Sequence, residues 1–342
     1  MLLEKTKLFS KEYKETIQEA LLALGKKNLA LILQGVSFPS DEDENIGFGT
    51  YNSKGAKRVF DFAKDVFSAI QLGPCGKTKL SDSSPYTGTV FSKNPLFINL
   101  AELTTSKWDR ILSTKTLEKI IEKNPNKGQN KAAYVYASEN MELAANEFYK
   151  NFKKSASKEL KKAFEDFKKQ NAFWLDKDAL YEALSIENNS DYWPQWKNEV
   201  DKKLFGEIDK KISEKRIKEI TKKYFDTIEK YKLEQFIVQR QSEETLEFAK
   251  KNGLKLIADR QVAFSDRDNW AYQSMFLDGW CLGCPPDYFS EDGQAWGFSV
   301  VDPEKLFNKD GSLGEAGELL KKLYLKMFKE NPGGVRIDHT VG

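Results

Sequence analysis

Four short apolar runs, separated by stretches of helical periodicity, do most to limit what this chain can become. They are 28–36 (NLALILQGV), 66–72 (VFSAIQL), 254–258 (LKLIA) and 335–337 (VRI). Runs this short, bounded by Gly, Pro or Asp, read as buried strands. The stretch 55–65 (GAKRVFDFAKD) follows the first run, and 243–252 precedes the third with Leu246, Phe248 and Ala249 apolar. Leu319, Leu320, Leu323, Tyr324, Met327 and Phe328 form an i, i+3, i+4 face before Asn331-Pro332-Gly333 ends that helix. Strands alternating with helices predict parallel βα units, an α/β fold.

Between strands two and three lies a long insertion, roughly 101–231, rich in Lys and Glu. Helical periodicity runs through 147–169 and 202–232, and the charges along it are mixed in sign, which predicts solvated helical faces. Asn124 to Asn130 (NPNKGQN) and Glu187 to Asp191 (ENNSD) read as its flexible loops. Over the 342 residues, 54 basic and 52 acidic side chains leave a net charge of +2, so no global field draws the chain to nucleic acid or a membrane. No apolar run approaches the roughly 18 residues of a membrane span. The start, MLLEKTKLFSKEYK, has no extended apolar region of the signal-peptide kind, so the expected compartment is the cytoplasm. Three cysteines, an odd number, are too few for a disulfide framework.

A single histidine, His339, narrows the chemistry further. Ser-His-Asp or Cys-His machinery would need it as base, and multi-histidine metal sites are excluded. Chemistry here must run mainly on carboxylates, or it is absent. Three partial motifs are set aside on their own terms. Gly76-Lys77-Thr78 follows a strand, but Gln71 stands where a phosphate-binding loop needs glycine, and Pro74 removes a backbone donor. Gly47-Phe48-Gly49 lies too far beyond strand one for a dinucleotide fingerprint. Cys281 and Cys284 form a CxxC, yet only Cys75 and His339 could complete a zinc site and Pro285-Pro286 follows at once; two small buried thiols are expected. No metal and no cofactor is predicted.

The stretch 283–297, GCPPDYFSEDGQAWG, is of another kind. Pro285-Pro286 fixes an extended entry, and Asp287, Tyr288, Phe289, Gln294 and Trp296 then gather polar and aromatic groups on one loop. Such a mixture suits a sugar, whose hydroxyls take hydrogen bonds while its apolar face stacks on rings. It suits equally an Asp-anchored loop over a core, and the loop alone leaves both readings open.

The other strand mouths add to it. The loop resembles the G-x-P-P-D-x-F-S-x-x-G-Q-x-W-G signature of the 4-α-glucanotransferases, the amylomaltase or disproportionating-enzyme family. Ser37-Phe38-Pro39 with Gly47-Phe48-Gly49, then Ser84-Pro85-Tyr86 with Asn94-Pro95, then Ser265, Asp268 and Trp270, resemble further segments of that family in its order. Val335-Arg336-Ile337-Asp338-His339 resembles the strand that carries its nucleophile. Three places depart from the family pattern: Arg260-Gln261-Val262 for the usual Leu-Pro-Ile, Phe298-Ser299 for Asn-Pro, and Thr340-Val341 for Phe-Arg.

What the resemblance implies is a (β/α)8 TIM barrel that cleaves an α-1,4-glucosidic bond and passes the glucan to another sugar, with its chemistry at the C-terminal ends of the strands. A retaining mechanism needs two carboxyl groups about 5–5.5 Å apart. Asp338 takes the nucleophile role. Arg336, two residues earlier in the strand, points to the same side and holds Asp338 ionised. Asp259 braces Arg336; His339 and Tyr86 contact the sugar at the cleavage point; Asp287, Tyr288, Phe289, Gln294 and Trp296 line the path of donor or acceptor.

Only the first half of such a barrel, about four strands with the helical insertion 101–231 between strands two and three, is expected from residues 1–342. By the resemblance, the acid/base Glu and a third Asp come from later strands. The expected protein is therefore the N-terminal part of a glucanotransferase of maltodextrin or glycogen metabolism, itself inactive without that Glu, with α-1,4-glucan oligosaccharides as partners. Two other readings remain: a non-catalytic α-glucan-binding remnant, and an interaction scaffold built on the insertion. Oligomeric state is not legible.

Overall fold

The computed structural model describes residues 10–129 and 131–338. Helix α1 (Lys11–Ala23) leads into strand β1 (Ala30–Ile32), and helix α2 (Lys54–Ala63) returns the chain to strand β2 (Ala69–Gln71). Among the described residues seven α-helices intervene before the next strand: α3 (Leu100–Leu103), α4 (Thr114–Glu122), α5 (Tyr134–Ser155), α6 (Lys158–Glu187), α7 (Glu199–Lys202), α8 (Lys210–Lys223) and α9 (Phe225–Lys251). Strand β3 (Lys255–Arg260) is followed by helix α10 (Asp266–Ala271) and a hairpin of β4 (Phe276–Cys284) and β5 (Gln294–Val301). Helix α11 (Glu315–Glu330) then leads into strand β6 (Gly334–Ile337).

The four short strands pair in the order β1-β2-β3-β6, every pair parallel, with helices carrying each return. Parallel neighbours need such crossovers, and this succession of βα units is that of consecutive strands in an α/β barrel. The first strand is shorter than its apolar run: only Ala30–Ile32 pair, while Leu33 and Val36 pack sideways onto the core and Gly35–Ser37 turn. The β4-β5 hairpin is a separate antiparallel ladder within the β3-to-β6 connection. Sequence analysis did not foresee it, because its strands carry no clean two-residue alternation and Pro285-Pro286 masked them as loop.

Helix boundaries also differ from the periodicity. The stretch 147–169 is two helices: Ser157 caps α6 by accepting from the Leu160 amide at 3.2 Å, after α5 has ended at Ser155. The stretch 202–232 is likewise split, by Asp209 capping α8 and by Tyr224. A capping side chain interrupts the backbone ladder without moving the apolar face, so periodicity passes over the break. Residue 231 falls inside α9, whose Phe236 and Ile237 pack in the same core as Ile70 of β2 and Leu256 of β3. That one helix both closes the insertion and covers the sheet.

A second core fastens the insertion to the segment beyond β3. Trp270 of α10 is fully buried with ring centroids 5.4 Å from Tyr181 of α6, 5.6 Å from Trp196 and 4.9 Å from Phe205. Such pairs contribute about 0.5–1.5 kcal/mol each beyond their burial. Beside them Arg267 reaches Glu182 of α6, which Lys77, from the loop after β2, also contacts. Burial opposes the Glu182 charge, but Arg267 and Lys77 hold its carboxyl down to about 2.

Candidate functional site

The parallel register sets Asp259 of β3 directly opposite Arg336 of β6. Arg336 Nη1 donates to Asp259 Oδ1 at 2.9 Å and Oδ2 at 3.0 Å, and Nη2 donates to Asp338 Oδ1 at 2.5 Å. The residues at 336 and 338 share a face because strand side chains repeat every second residue. Asp338 is fixed from its backbone too, its amide donating to the Arg260 carbonyl at 3.1 Å. One guanidinium therefore holds two carboxylates at the C-terminal ends of adjacent strands. Their environments differ. The Asp259 side chain is 1% exposed while that of Asp338 is 28% exposed.

Burial pushes the Asp259 carboxyl above its usual range, and the Arg336 hydrogen bonds offset only part of that push. The same bonds raise Arg336, with Asp338 and Tyr86 adding to them, so the guanidinium stays charged. One oxygen of the Asp338 carboxylate is thus held by a permanent cation. Sequence reasoning missed one member of the cluster. Gln71, ending β2, donates from Nε2 to Asp259 Oδ2 at 3.4 Å. It was visible as the one polar residue near the end of an otherwise apolar strand.

Tyr86 lies in the short turn Pro85–Thr87, 38% exposed and close enough to Arg336 for its charge to be felt there. Its loop is tied to the end of β3 by Gln261, whose Nε2 donates to the Gly88 carbonyl at 2.9 Å. The family's usual proline at position 261 has no such donor, so this departure carries a structural role. Arg260 turns away from the strand ends, buried, with Nη1 donating to the Ala263 carbonyl at 3.3 Å and its guanidinium 4.9 Å from the Phe264 ring. Ser265, Asp268 and Trp270 are internal: Ser265 and Asp268 form the capping box of α10, and Asp268 also accepts from the Val90 amide at 3.2 Å.

The Pro-Pro-Asp residues do not sit on one loop. Asp287, Tyr288 and Phe289 form the tip of the hairpin, whereas Gln294 and Trp296 belong to β5. Asp287 organises the tip itself, its Oδ1 accepting from the amides of Phe289 and Ser290 at 2.8 Å each. Gly293 closes the turn at φ +72°, a conformation that favours glycine, and a Cβ there would come within 2.6 Å of the Cys284 carbonyl. Trp296 Nε1 donates to Gln294 Oε1 at 3.1 Å, the two lying on one face of β5. Tyr288 and Phe289 stand 95% and 89% exposed, ring to ring at 5.4 Å. Cys281 is exposed and Cys284 half-buried on β4, not the two buried thiols expected, because the hairpin has solvent where a core was anticipated. His339 lies outside the described residues.

Among the described residues no group of three or more His, Cys, Asp or Glu side chains could hold a metal ion. The profile of a protein family described as 4-alpha-glucanotransferase matches residues 33–342. A 4-alpha-glucanotransferase of Aquifex aeolicus is 28% identical over 286 residues, covering 80% of this chain and 53% of its own length. One from Synechocystis is 27% identical over 332 residues, 93% of this chain and 60% of the relative. Among solved structures, amylomaltase from Streptococcus agalactiae in complex with acarbose aligns with a TM-score of 0.73 at 20% identity, over 92% of this chain and 59% of that one. Amylomaltase from Corynebacterium glutamicum aligns at 0.65 and 18% identity, over 95% and 42%. These likenesses show the fold to be a partial α/β barrel. The chain spans about half the length of the curated relatives it matches.

Proposed function

The chain belongs to the 4-alpha-glucanotransferase family, and from this premise we propose that it carries the nucleophile side of a retaining α-1,4-glucan transfer site, with Asp338 as nucleophile. The observation that bears this reading is Arg336 holding Asp338 and Asp259 together at the strand ends. Asp338 attacks the anomeric carbon, the glycosidic C–O bond breaks, and the electron pair leaves on the departing sugar oxygen, which takes a proton from a general acid. A glucosyl ester on Asp338 results, and an acceptor sugar hydroxyl then displaces the carboxylate and loses its proton.

Arg336 Nη2 donates to Asp338 Oδ1 and aims that carboxylate. Asp259 keeps Arg336 in place, and Gln71 in turn donates to Asp259. Tyr86 supplies a partly exposed phenol beside the guanidinium. The rings of Tyr288 and Phe289 and the indole of Trp296 offer apolar faces for pyranose units. The acarbose in the Streptococcus agalactiae structure supports an oligosaccharide occupant. Maltodextrins are the substrates we assign, and the cytoplasm is the compartment, to which free thiols are suited. A second reading, glucan binding without turnover, is favoured by the solvent-facing aromatics of the hairpin.

An α-glucosyl fluoride tests the nucleophile directly. Fluoride departs without protonation, so attack by Asp338 does not depend on a general acid. With a second, ring-bound fluorine to slow hydrolysis, the wild-type chain should gain the mass of one fluorinated glucosyl group, mapped to the peptide that contains Asp338. Asp338→Asn should gain none. Absence of label on folded wild-type protein, or equal labelling of the Asn variant, overturns the assignment.

A further inference from the structure

A cavity of about 280 Å³ lies between the loop that follows β2 and helices α5, α6 and α9. It is just below the range of roughly 300–1,000 Å³ typical of drug-sized ligands, so a smaller molecule fits it. Leu96 and Met141, both buried, give it apolar wall, and Glu234 of α9 lines it with only 6% of its surface exposed. Among the described residues Glu234 makes no hydrogen bond and no ion pair. A buried carboxyl without a partner is costly in either protonation state. Glucan transfer makes no use of it.

The cations around the cavity are engaged elsewhere. Lys77 and Arg267 both reach Glu182, Lys79 reaches Asp266, and Lys230, just outside the wall, reaches Glu142. Asp191, also in the lining, is exposed and screened by solvent. Those four cations therefore stand beside four carboxylates, Glu142, Glu182, Asp191 and Asp266, before Glu234 is counted. Asp178, whose backbone carbonyl accepts from Arg267 at 3.3 Å, adds acid and not base. Burial raises the phenols of Tyr181 and Tyr231, which stay neutral. The surplus is acidic, and it is Glu234. Burial pushes its carboxyl up to about 8, while the charges of Lys77 and Lys230 pull the other way and are opposed by Glu142 and Glu182.

A cationic ligand lets Glu234 ionise and be paired at once. We propose that this cavity binds a small organic monocation, a primary ammonium with a short apolar body, its head on Glu234 and its body against Leu96 and Met141. Glu234 gives up its proton to solvent as the head docks, and the N–H groups then donate to the carboxylate. The apolar wall favours an organic body over an inorganic ion. The inference stands apart from glucan transfer.

Calorimetric titration of the full chain decides it, with butylammonium, the neutral 1-butanol, tetramethylammonium and potassium as probes. Butylammonium should bind at one site, about tenfold or more tighter than 1-butanol, since a hydrogen bond to a charged group is worth that much. Tetramethylammonium has no N–H to donate and potassium no apolar body, so both should bind more weakly. At pH 7, buffers of different ionisation heat should reveal about one proton released per ligand, and affinity should rise about tenfold or more from pH 6 to pH 8. Glu234→Gln, which keeps the shape of the protonated acid, should lose both the binding and the proton release. No butylammonium binding, binding without proton release, or any other probe as tight as butylammonium overturns the proposal. So does a Glu234→Gln protein that folds and binds butylammonium as wild type does. If that variant fails to fold, the probes and the proton count on wild-type protein still decide.

Discussion

Asp259, at the end of β3, has a side chain 1% exposed and shares a guanidinium with Asp338, whereas Tyr288 and Phe289, at the tip of the β4-β5 hairpin, stand 95% and 89% exposed. Both regions carry family-specific motifs, yet one is assembled by long-range pairing and the other by its own turn. At the strand ends, residues 77 positions apart meet because β3 and β6 are in register. At the hairpin tip the organising bonds span two or three residues, from Asp287 to Phe289 and Ser290. The first region should fail when a distant partner is removed. The second should tolerate change to its rings and lose only what those rings touch in solution.

The largest expected contrast is in thiol reactivity. Cys281 on the hairpin is exposed, while burial pushes the Cys75 thiol up to about 11. Burial thus both shields Cys75 and keeps it protonated at pH 8. Alkylation followed by peptide mass spectrometry should label Cys281 about a hundredfold faster or more, and comparable rates would show the sheet-side region to be as open as the hairpin.

Next in size is the loss of Arg336. Arg336→Met leaves Asp259 buried without its cation, which costs about 1–3 kcal/mol for a buried group stripped of its partner, and nearer the lower figure because Arg336 is itself 42% exposed. Urea unfolding should show the drop, and Asp259→Asn in the same background should recover part of it. A midpoint unchanged in Arg336→Met would mean that the pair contributes nothing to holding β6.

A smaller effect appears with pH. The folded-state carboxyl of Asp259 is raised, chiefly by burial, so its contribution to stability is full below the unfolded value of about 3.9 and is lost as pH climbs through the folded value. Wild type minus Asp259→Asn should therefore decline in stability from about pH 4 upward. A difference that rises with pH would show the Arg336 bonds outweighing burial.

The smallest change belongs to the hairpin. Tyr288→Ala should alter unfolding stability by less than about 0.5 kcal/mol, as exposed substitutions do, while weakening maltotriose binding. Destabilisation beyond 1 kcal/mol would mean that the tip is packed in solution after all.

The same division separates what could be read early from what could not. Four apolar runs and the helices between them were enough for parallel βα units, although burial on both faces holds only for β2 and most of β3, while Ile32 of β1 and Ile337 of β6 stand 65% and 50% exposed. The β4-β5 hairpin was invisible. Half-exposed on both sides, it has neither the buried strand's apolar run nor the alternation of a sheet with one dry face. The breaks at Ser157 and Asp209 were passed over because a cap changes hydrogen bonding, not the apolar face. Gln71 gave a signal, a polar residue in an apolar strand, that its failure to fit a phosphate loop obscured.

By itself the sequence determined the four parallel strand segments and the two-residue spacing that puts Arg336 and Asp338 on one face of β6, since both are written in local composition and backbone geometry. It also determined the family, through motifs whose residues are contiguous. Only the tertiary structure decided that Asp259 and Gln71 reach Arg336's neighbourhood, that Gln261 ties down the Tyr86 loop, and that Lys93 and Lys326 close on Glu330 across 237 and 4 positions of chain. Those meetings depend on sheet register and on how α9 and α11 lie over the strands. Each is set by the packing of many side chains at once, and a linear pattern records the partners without recording which of them will touch.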